Sequence, residues 1–161
     1  PDIELEIFAD DSLSDLIAGG FDAGVRMGEM LEADMIAVRL SSAFRFVVVG
    51  TPDYFARHGR PEKVADLAQH RCIRLRLSSG GMMPWTFQVG NREEEAQVSG
   101  PVIVNDFSAL MVAIRTGVAL GMIAEPVAEA EIEAGNLEIA VSEFAPSSAG
   151  LFLYYPSRKQ V

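Results

Sequence analysis

The side chains able to do chemistry are few and scattered. His58 and His70 each follow a short helical stretch beside Arg or Gln, with no carboxylate or cysteine at ligand spacing. That pattern supplies neither a metal site nor a triad, and fits surface histidines near helix C-termini. Cys72 is the one cysteine, set in the apolar run CIRLRL, so it cannot close an internal disulfide and reads as a buried, inert thiol. Glu93, Glu94 and Glu95 fall at an expected hairpin turn, where three carboxylates are solvated rather than paired for acid–base work. No GxSxG, P-loop or GxGxxG sequence is present, and Gly117 and Gly121 have the wrong spacing and follow a helix instead of opening one. The residue types point away from catalysis and toward binding.

Binding features are better represented. Asn105, Asp106, Phe107 and Ser108 precede a helical stripe, and backbone N–H groups at a helix start attract anions. Asp106 can equally cap that helix itself, which would fill the position. Arg26 and Met27 end an expected strand; Arg26 can meet a carboxylate ligand, or pair on the surface with Glu29 or Glu32. Trp85, after a loop of glycines and methionines, is either a ligand wall or a core tryptophan. Met27, Met30, Met82 and Met83 offer adaptable apolar surface, suited to a pocket and to ordinary packing alike.

The elements that must hold these residues centre on the stretch 104–125. Phe107, Leu110, Met111 and Ile114 fall at i, i+3, i+4 and i+7, one buried helical face, and Gly117 supplies a left-handed stop. Residues 118–124 are almost unbroken apolar, as in a parallel strand covered on both faces. The unit reads βαβ, with its 105–108 turn at a strand C-terminus, where open α/β sheets bind ligands. Upstream, residues 3–8 alternate apolar and acidic like a half-exposed strand. A short helix with Leu13, Leu16 and Ile17 follows, then a strand over 21–26, so the first lobe is expected to be parallel α/β. Strands are expected at 35–40 and 44–49, with small polar Ser41, Ser42 and Ala43 as a crossing point. Helices are expected over 53–57, behind the cap Thr51 and Pro52, and after Pro61 with Val64, Leu67 and Ala68 inward. A strand over 72–77, a hairpin pairing 85–89 with 94–98 around the flexible turn at Gly90 and Asn91, and a strand over 102–104 lead into the central unit. A helix from Pro126 with Val127, Ala130 and Ile132 apolar, a strand over 137–141, a linker over 144–150 and a strand over 151–155 complete the chain.

With 161 residues, 49% of them hydrophobic and 22% charged, the chain can bury a core as one domain or two small lobes. No apolar run is long enough to span a bilayer. A net charge of −10, from 23 acidic and 13 basic residues, repels polyanions, so this segment is not expected to grip nucleic acid by itself. The opening residues lack Met and already stand in strand register, as in a fragment of something longer.

Six segments in order carry a family likeness: DLIAGGFDAGVRMG, VVVGTPDYFARHGRPEKVADLAQHRCI, PWTF, VSGPVIVND, IRTGVALGMIAE and LFLYYPSRKQV. Together they resemble the effector-binding domain of LysR-type transcriptional regulators over nearly the whole chain. The most specific parts are TPDYFARHG with its following DLAQH and CI, and the YPSR ending. The branch with a Trp before the hairpin, here Trp85, is the most similar.

The resemblance implies an α/β fold of two Rossmann-like lobes joined by two crossover strands, like a type 2 periplasmic binding protein. Lobe one would comprise residues 1–41 and 151–161, and lobe two roughly 46–144. It implies a winged helix-turn-helix, a linker helix and the first elements of lobe one, all absent from this sequence, and a final helix after YPSR. The sequence departs from the family's usual turn at Ala119 and Ala124, where Gly and Pro are usual, with Pro126 shifted. Small backbone adjustments are expected there. By position, the effector cleft would be lined by Asp10, Arg26, Met27, Ser41, Ser78, Ser79, Trp85, Asn105, Asp106 and Phe107. The implied protein is no enzyme. It uses no cofactor or metal, is cytoplasmic, and assembles as a homodimer or tetramer. It reaches DNA only through the missing N-terminal domain, and its effector is a small, mostly apolar molecule with one acidic or polar end. A solute-binding protein of a transport system shares the architecture and is the rival reading.

Overall fold

In the computed structural model, the structure describes residues 3–9, 16, 19–30 and 35–156. A three-stranded antiparallel sheet has the order β1 (Gly24–Met27), β11 (Leu151–Pro156), β2 (Met35–Arg39). In it Val25 stands opposite Leu153, which stands opposite Val38. The parallel first lobe expected from the sequence is therefore not what the described strands form. A late strand from the far end of the chain separates β1 from β2, and nothing in the local alternation announces such a long-range insertion. Residues 3–8, expected as a strand, have no strand pairing; Ile3, Leu5 and Ile7 are 82%, 78% and 81% exposed. A strand exists only through a partner's hydrogen bonds, and alternation alone supplies none. The expected helix around Leu13 lies outside the described residues apart from Leu16, which is buried.

The second sheet is built on β3 (Phe44–Gly50), which pairs antiparallel with β8 (Gly121–Ala124), β9 (Glu138–Ala140) and β10 (Ser147–Ser148). Val48 of β3 joins one core cluster, with Tyr54, Phe55, Leu67, Cys72, Trp85 and Phe87. Val47 and Val49 join the other, with Ile73, Leu110, Met111, Ile114 and Ile123. Both faces of β3 are thus covered, which is why FVVV reads as a run rather than an alternation. Each fully buried aliphatic side chain of this kind contributes about 2 kcal/mol of transfer free energy.

The central unit keeps its helix and only half of its expected strand. β4 (Arg74–Leu75) and β7 (Ile103–Val104) are parallel, and Cys72 bridges Leu120 in parallel as well. The chain just before β8 therefore has a parallel neighbour in the chain just before β4, while β8 itself pairs antiparallel with β3. The strand expected over 72–77 narrows to Arg74–Leu75 flanked by single bridges, because its partners on the two sides are offset along its length. α2 (Phe107–Arg115) buries Leu110, Met111 and Ile114, and Gly117 (φ +68°) ends it.

α1 (Pro52–His58) forms as expected, with the Thr51 hydroxyl accepting from Tyr54 N at 3.1 Å. The segment after Pro61 is a 3-10 helix, Val64–Gln69, with Val64 and Leu67 buried. The hairpin pairs β5 (Thr86–Val89) with β6 (Arg92–Glu95), and β6 is exposed throughout. Glu93 to Glu95 thus form a strand and not the turn; Gly90 and Asn91 make the turn. α3 (Glu125–Glu133) begins one residue before Pro126 and packs on β3 and β8. Its buried residue is the small Ala128, while Val127 is 56% exposed and Ala130 is exposed. The stretch 144–150 is no loose linker: β10 within it pairs Ser147 with Arg45 and Ser148 with Phe44.

Candidate functional site

The two sheets meet where the chain crosses between them, after β2 and again between β10 and β11. Leu40 N and Ser41 N donate to Leu151 O at 2.8 and 3.3 Å, and Leu151 N donates to the Ser41 hydroxyl at 2.9 Å. The crossings therefore run side by side, and Ser41 is a working part of the junction. Gly150 adopts φ +100°, and a β-carbon there would lie 2.6 Å from Ser42 O and 2.8 Å from Ser41 O. Only glycine lets the second crossing pass so close to the first.

β1 ends at this junction. Met27 stands opposite Leu151, and Gly28 N donates to Gly150 O at 3.0 Å. Arg26 lies with its guanidinium 4.9 Å from the centre of the Tyr154 ring. Of the two carboxylates considered for Arg26 from the sequence, Glu32 lies outside the described residues and Glu29 is engaged with the second crossing. The Glu29 carboxylate accepts from the Ser148 hydroxyl at 3.2 Å and from Ala149 N. Burial alone would raise the Glu29 pKa, but the hydrogen bonds from Ala149 N–H, from its own backbone and from Ser148 outweigh it and hold the carboxyl below its ordinary value.

A second group of expected residues gathers at the C-terminal ends of β4 and β7. Arg76 N donates to Val104 O at 2.7 Å, and Leu77 N closes the Ser78–Ser79 turn onto Gly81 O at 2.9 Å. Ser78 and Ser79 are thereby brought beside the strand that runs into Asn105 and Asp106. Asn105, Asp106 and Phe107 are all exposed, Phe107 by 46%. Asp106 accepts from Ala109 N at 2.8 Å, so the capping use of this carboxylate is the one present. Trp85 is 3% exposed within the core that holds Tyr54 and Phe87, which is the packing alternative for this residue. Asp10 lies outside the described residues.

The other titratable candidates are structural. The Tyr54 hydroxyl accepts from Arg71 N at 3.1 Å, lies 3.1 Å from His70 Nδ1 and reaches Arg71 O at 3.5 Å, so it is held between that backbone and the imidazole. Burial, then the charge of His58, lowers the His70 pKa. Burial pushes the Cys72 thiol up to about 12. Among the described residues no group of three or more His, Cys, Asp or Glu could hold a metal ion.

Three residues at the junction escaped the sequence reading. Glu29 entered only as a possible partner for Arg26, and Ser148 and Gly150 as linker. Their one visible signal is the stretch of small residues Ser147, Ser148, Ala149 and Gly150 before the last strand, which permits close chain approach. Arg76, next to Val104 and hydrogen-bonded through Nη1 to Gly80 O at 2.9 Å, is a further polar group at the second cluster.

The family model of the LysR substrate binding domain matches residues 1–161. The chain belongs to the LysR substrate-binding domain family. The HTH-type transcriptional regulators YcaN and PgrR of Escherichia coli are 36% and 33% identical to it, each over 99% of this chain and over 52% and 54% of their own lengths. The chain thus spans about half the length of the curated relatives it matches. Among solved structures, the full-length virulence activator AphB of Vibrio cholerae superposes with a TM-score of 0.81 at 18% identity, covering 98% of this chain and 52% of that one. The fold is the two-lobed, type 2 periplasmic-binding-protein-like architecture of LysR regulatory domains, and the transport reading is not favoured. These relatives are HTH-type transcriptional regulators. No helix among the described residues is long and apolar enough to cross a membrane.

Proposed function

We propose that this LysR domain is the sensor of a DNA-binding transcription factor, responding to a small molecule held between its lobes. The effector sits between Arg26 and Met27 on one side and the Asn105 to Phe107 turn on the other, with Ser41, Ser78 and Ser79 as polar lining and Trp85 behind the wall. Asp10 completes the set by family position. Domain boundaries follow the crossings, with residues 1–41 and 151–161 in one lobe and about 46–144 in the other. Binding biases the angle between lobes and so repositions DNA-binding heads elsewhere in a cytoplasmic homodimer or tetramer. No bond is made or broken in this reading.

The observation that supports it is the pair of side-by-side crossings at Ser41 and Gly150 in a LysR-family chain, a hinge between two sheets that can each carry half of a pocket. The ligand chemistry follows from the side chains. Arg26 suits an acidic or carbonyl end. Met27 and Phe107 suit an apolar body. The Asp106 carboxylate at the helix start disfavours a densely charged ligand such as a phosphate.

The test has two stages. A thermal-shift screen of small carboxylates and aromatics on the full-length regulator selects the effector, and a transcriptional reporter then compares native protein with Asn105→Leu. The expected result is lost response with folding and DNA affinity nearly unchanged. An Asn105→Leu protein that responds with native sensitivity would overturn the pocket.

A further inference from the structure

We infer that Glu29 is a positioning residue that sets the resting angle between the two lobes by gripping the second crossing. This rests on the reading that lobe angle carries the signal. Glu29 belongs to the turn Gly28–Met30 that closes β1, and so to the first sheet. The two donors it accepts from, Ser148 and Ala149, belong to β10 and the crossing that follows, on the side of the second sheet. A carboxylate fixed to one sheet therefore holds the end strand of the other.

The surrounding hydrogen bonds make this grip specific. Ser148 is the one polar residue among the buried described residues, at 4% exposure. Its oxygen accepts from Gly150 N at 3.3 Å, which leaves its single proton for Glu29. Ala149 is held twice from the first sheet: its N–H by Glu29 and its C=O by the Arg39 guanidinium. Arg39 is itself fixed by lying 4.6 Å over the Phe152 ring of β11. A hinge turns by changing backbone dihedrals at a few crossing residues. Here the residue before the hinge glycine is clamped on both sides by charges mounted on the same lobe. An ionised Glu29 accepts both donors at once; a neutral amide in its place has one acceptor oxygen and an NH2 that cannot accept.

The experiment measures the angle directly in the full-length regulator, without ligand or DNA. Spin labels are placed on cysteines introduced at exposed Val38, in the first sheet, and exposed Glu129, on the helix α3 that packs on the second sheet, and labelled protein is diluted into excess unlabelled protein so that only distances within one chain are read. Native protein should give one narrow distance distribution. Glu29→Gln and Ser148→Ala should each broaden it by roughly twofold or displace its maximum, because the crossing gains rotational freedom. The double variant should do little more than Glu29→Gln alone, because Ser148 acts only through Glu29, whereas Ser148→Ala leaves the Ala149 N–H on Glu29 in place. Glu133→Gln, on the exposed side of α3, should leave it unchanged. Distributions for Glu29→Gln and Ser148→Ala that superpose on the native one would overturn the proposal, whatever their melting temperatures. Should Glu29→Gln fail to fold, Ser148→Ala alone decides, since it removes one hydroxyl and no charge. The measurement uses no effector, so its failure leaves the sensing reading intact, and a regulator without an effector response leaves the measured angle valid.

Discussion

Arg45 and Glu125 form a two-pronged ion pair, Nε donating to Oε2 at 2.9 Å and Nη2 to Oε1 at 2.6 Å. The pair ties the crossing end of β3 to the first turn of α3. The hydrogen bond to Glu125 is the largest influence raising the Arg45 pKa. Both side chains are partly exposed, at 42% and 32%, so water and salt screen the pair. A double-mutant cycle with Arg45→Ala and Glu125→Ala, followed by urea unfolding, should return a coupling of about 0.5–1 kcal/mol that shrinks at high salt.

Gly150→Ala should be the costliest single methyl addition at the junction. It adds a side chain to a residue at φ +100° and drives the new carbon into two carbonyl oxygens. The expected loss is at least about 2 kcal/mol. Urea unfolding of Gly150→Ala against the native protein measures it, and a loss within experimental error would show that the crossing relaxes freely.

Cys72 should be inert in the folded protein. Its thiol is buried at 0% exposure and pushed up to about 12, so almost no thiolate exists at neutral pH. Alkylation at pH 7.5 should follow the rate of unfolding and become fast in denaturant.

Stability should fall as the solution is acidified through the ordinary histidine range. Burial, and then the charge of His58, hold the folded pKa of His70 below the ordinary 6.5. Between those two values the unfolded chain binds the extra proton and the folded one does not. Stability is therefore full above about 6.5 and declines below it, until the folded group titrates as well. His70→Gln should flatten this decline in urea midpoints measured from pH 7.5 to 5.5. Glu29, Asp66 and Glu131 act lower, because their carboxylates titrate below the ordinary acidic value and lose their contributions only as pH falls through it.

Duplex DNA should not be retarded by this chain alone in a gel-shift at moderate salt, because its net charge is −10. Retardation by the isolated chain would place a DNA-binding surface within it.

Local code made several elements legible. Thr51 before Pro52 announces α1, the helical stripe with its stop at Gly117 announces α2, and the FVVV run announces a strand, whose cover on both faces only the fold shows. Each depends on neighbours within a turn or two, where capping, periodicity and chain reversal act. Cys72 was readable for the same reason, as an isolated small side chain inside an apolar run.

What the residue order could not supply was partnership. Strand β11 inserts between β1 and β2 from more than a hundred residues away, and residues 3–8 alternate correctly yet pair with nothing described. Alternation defines which face is apolar and is silent on which strand will lie alongside. The Glu29 grip is the same case. A carboxylate after a strand suggests an ion pair with the nearest arginine. Only the folded chain brings Ser148 and Ala149, some 120 residues downstream, within hydrogen-bonding reach of Glu29. Segments so far apart in sequence are joined by pairing that no local pattern encodes, so the tertiary structure decided the hinge while the sequence decided the elements it joins.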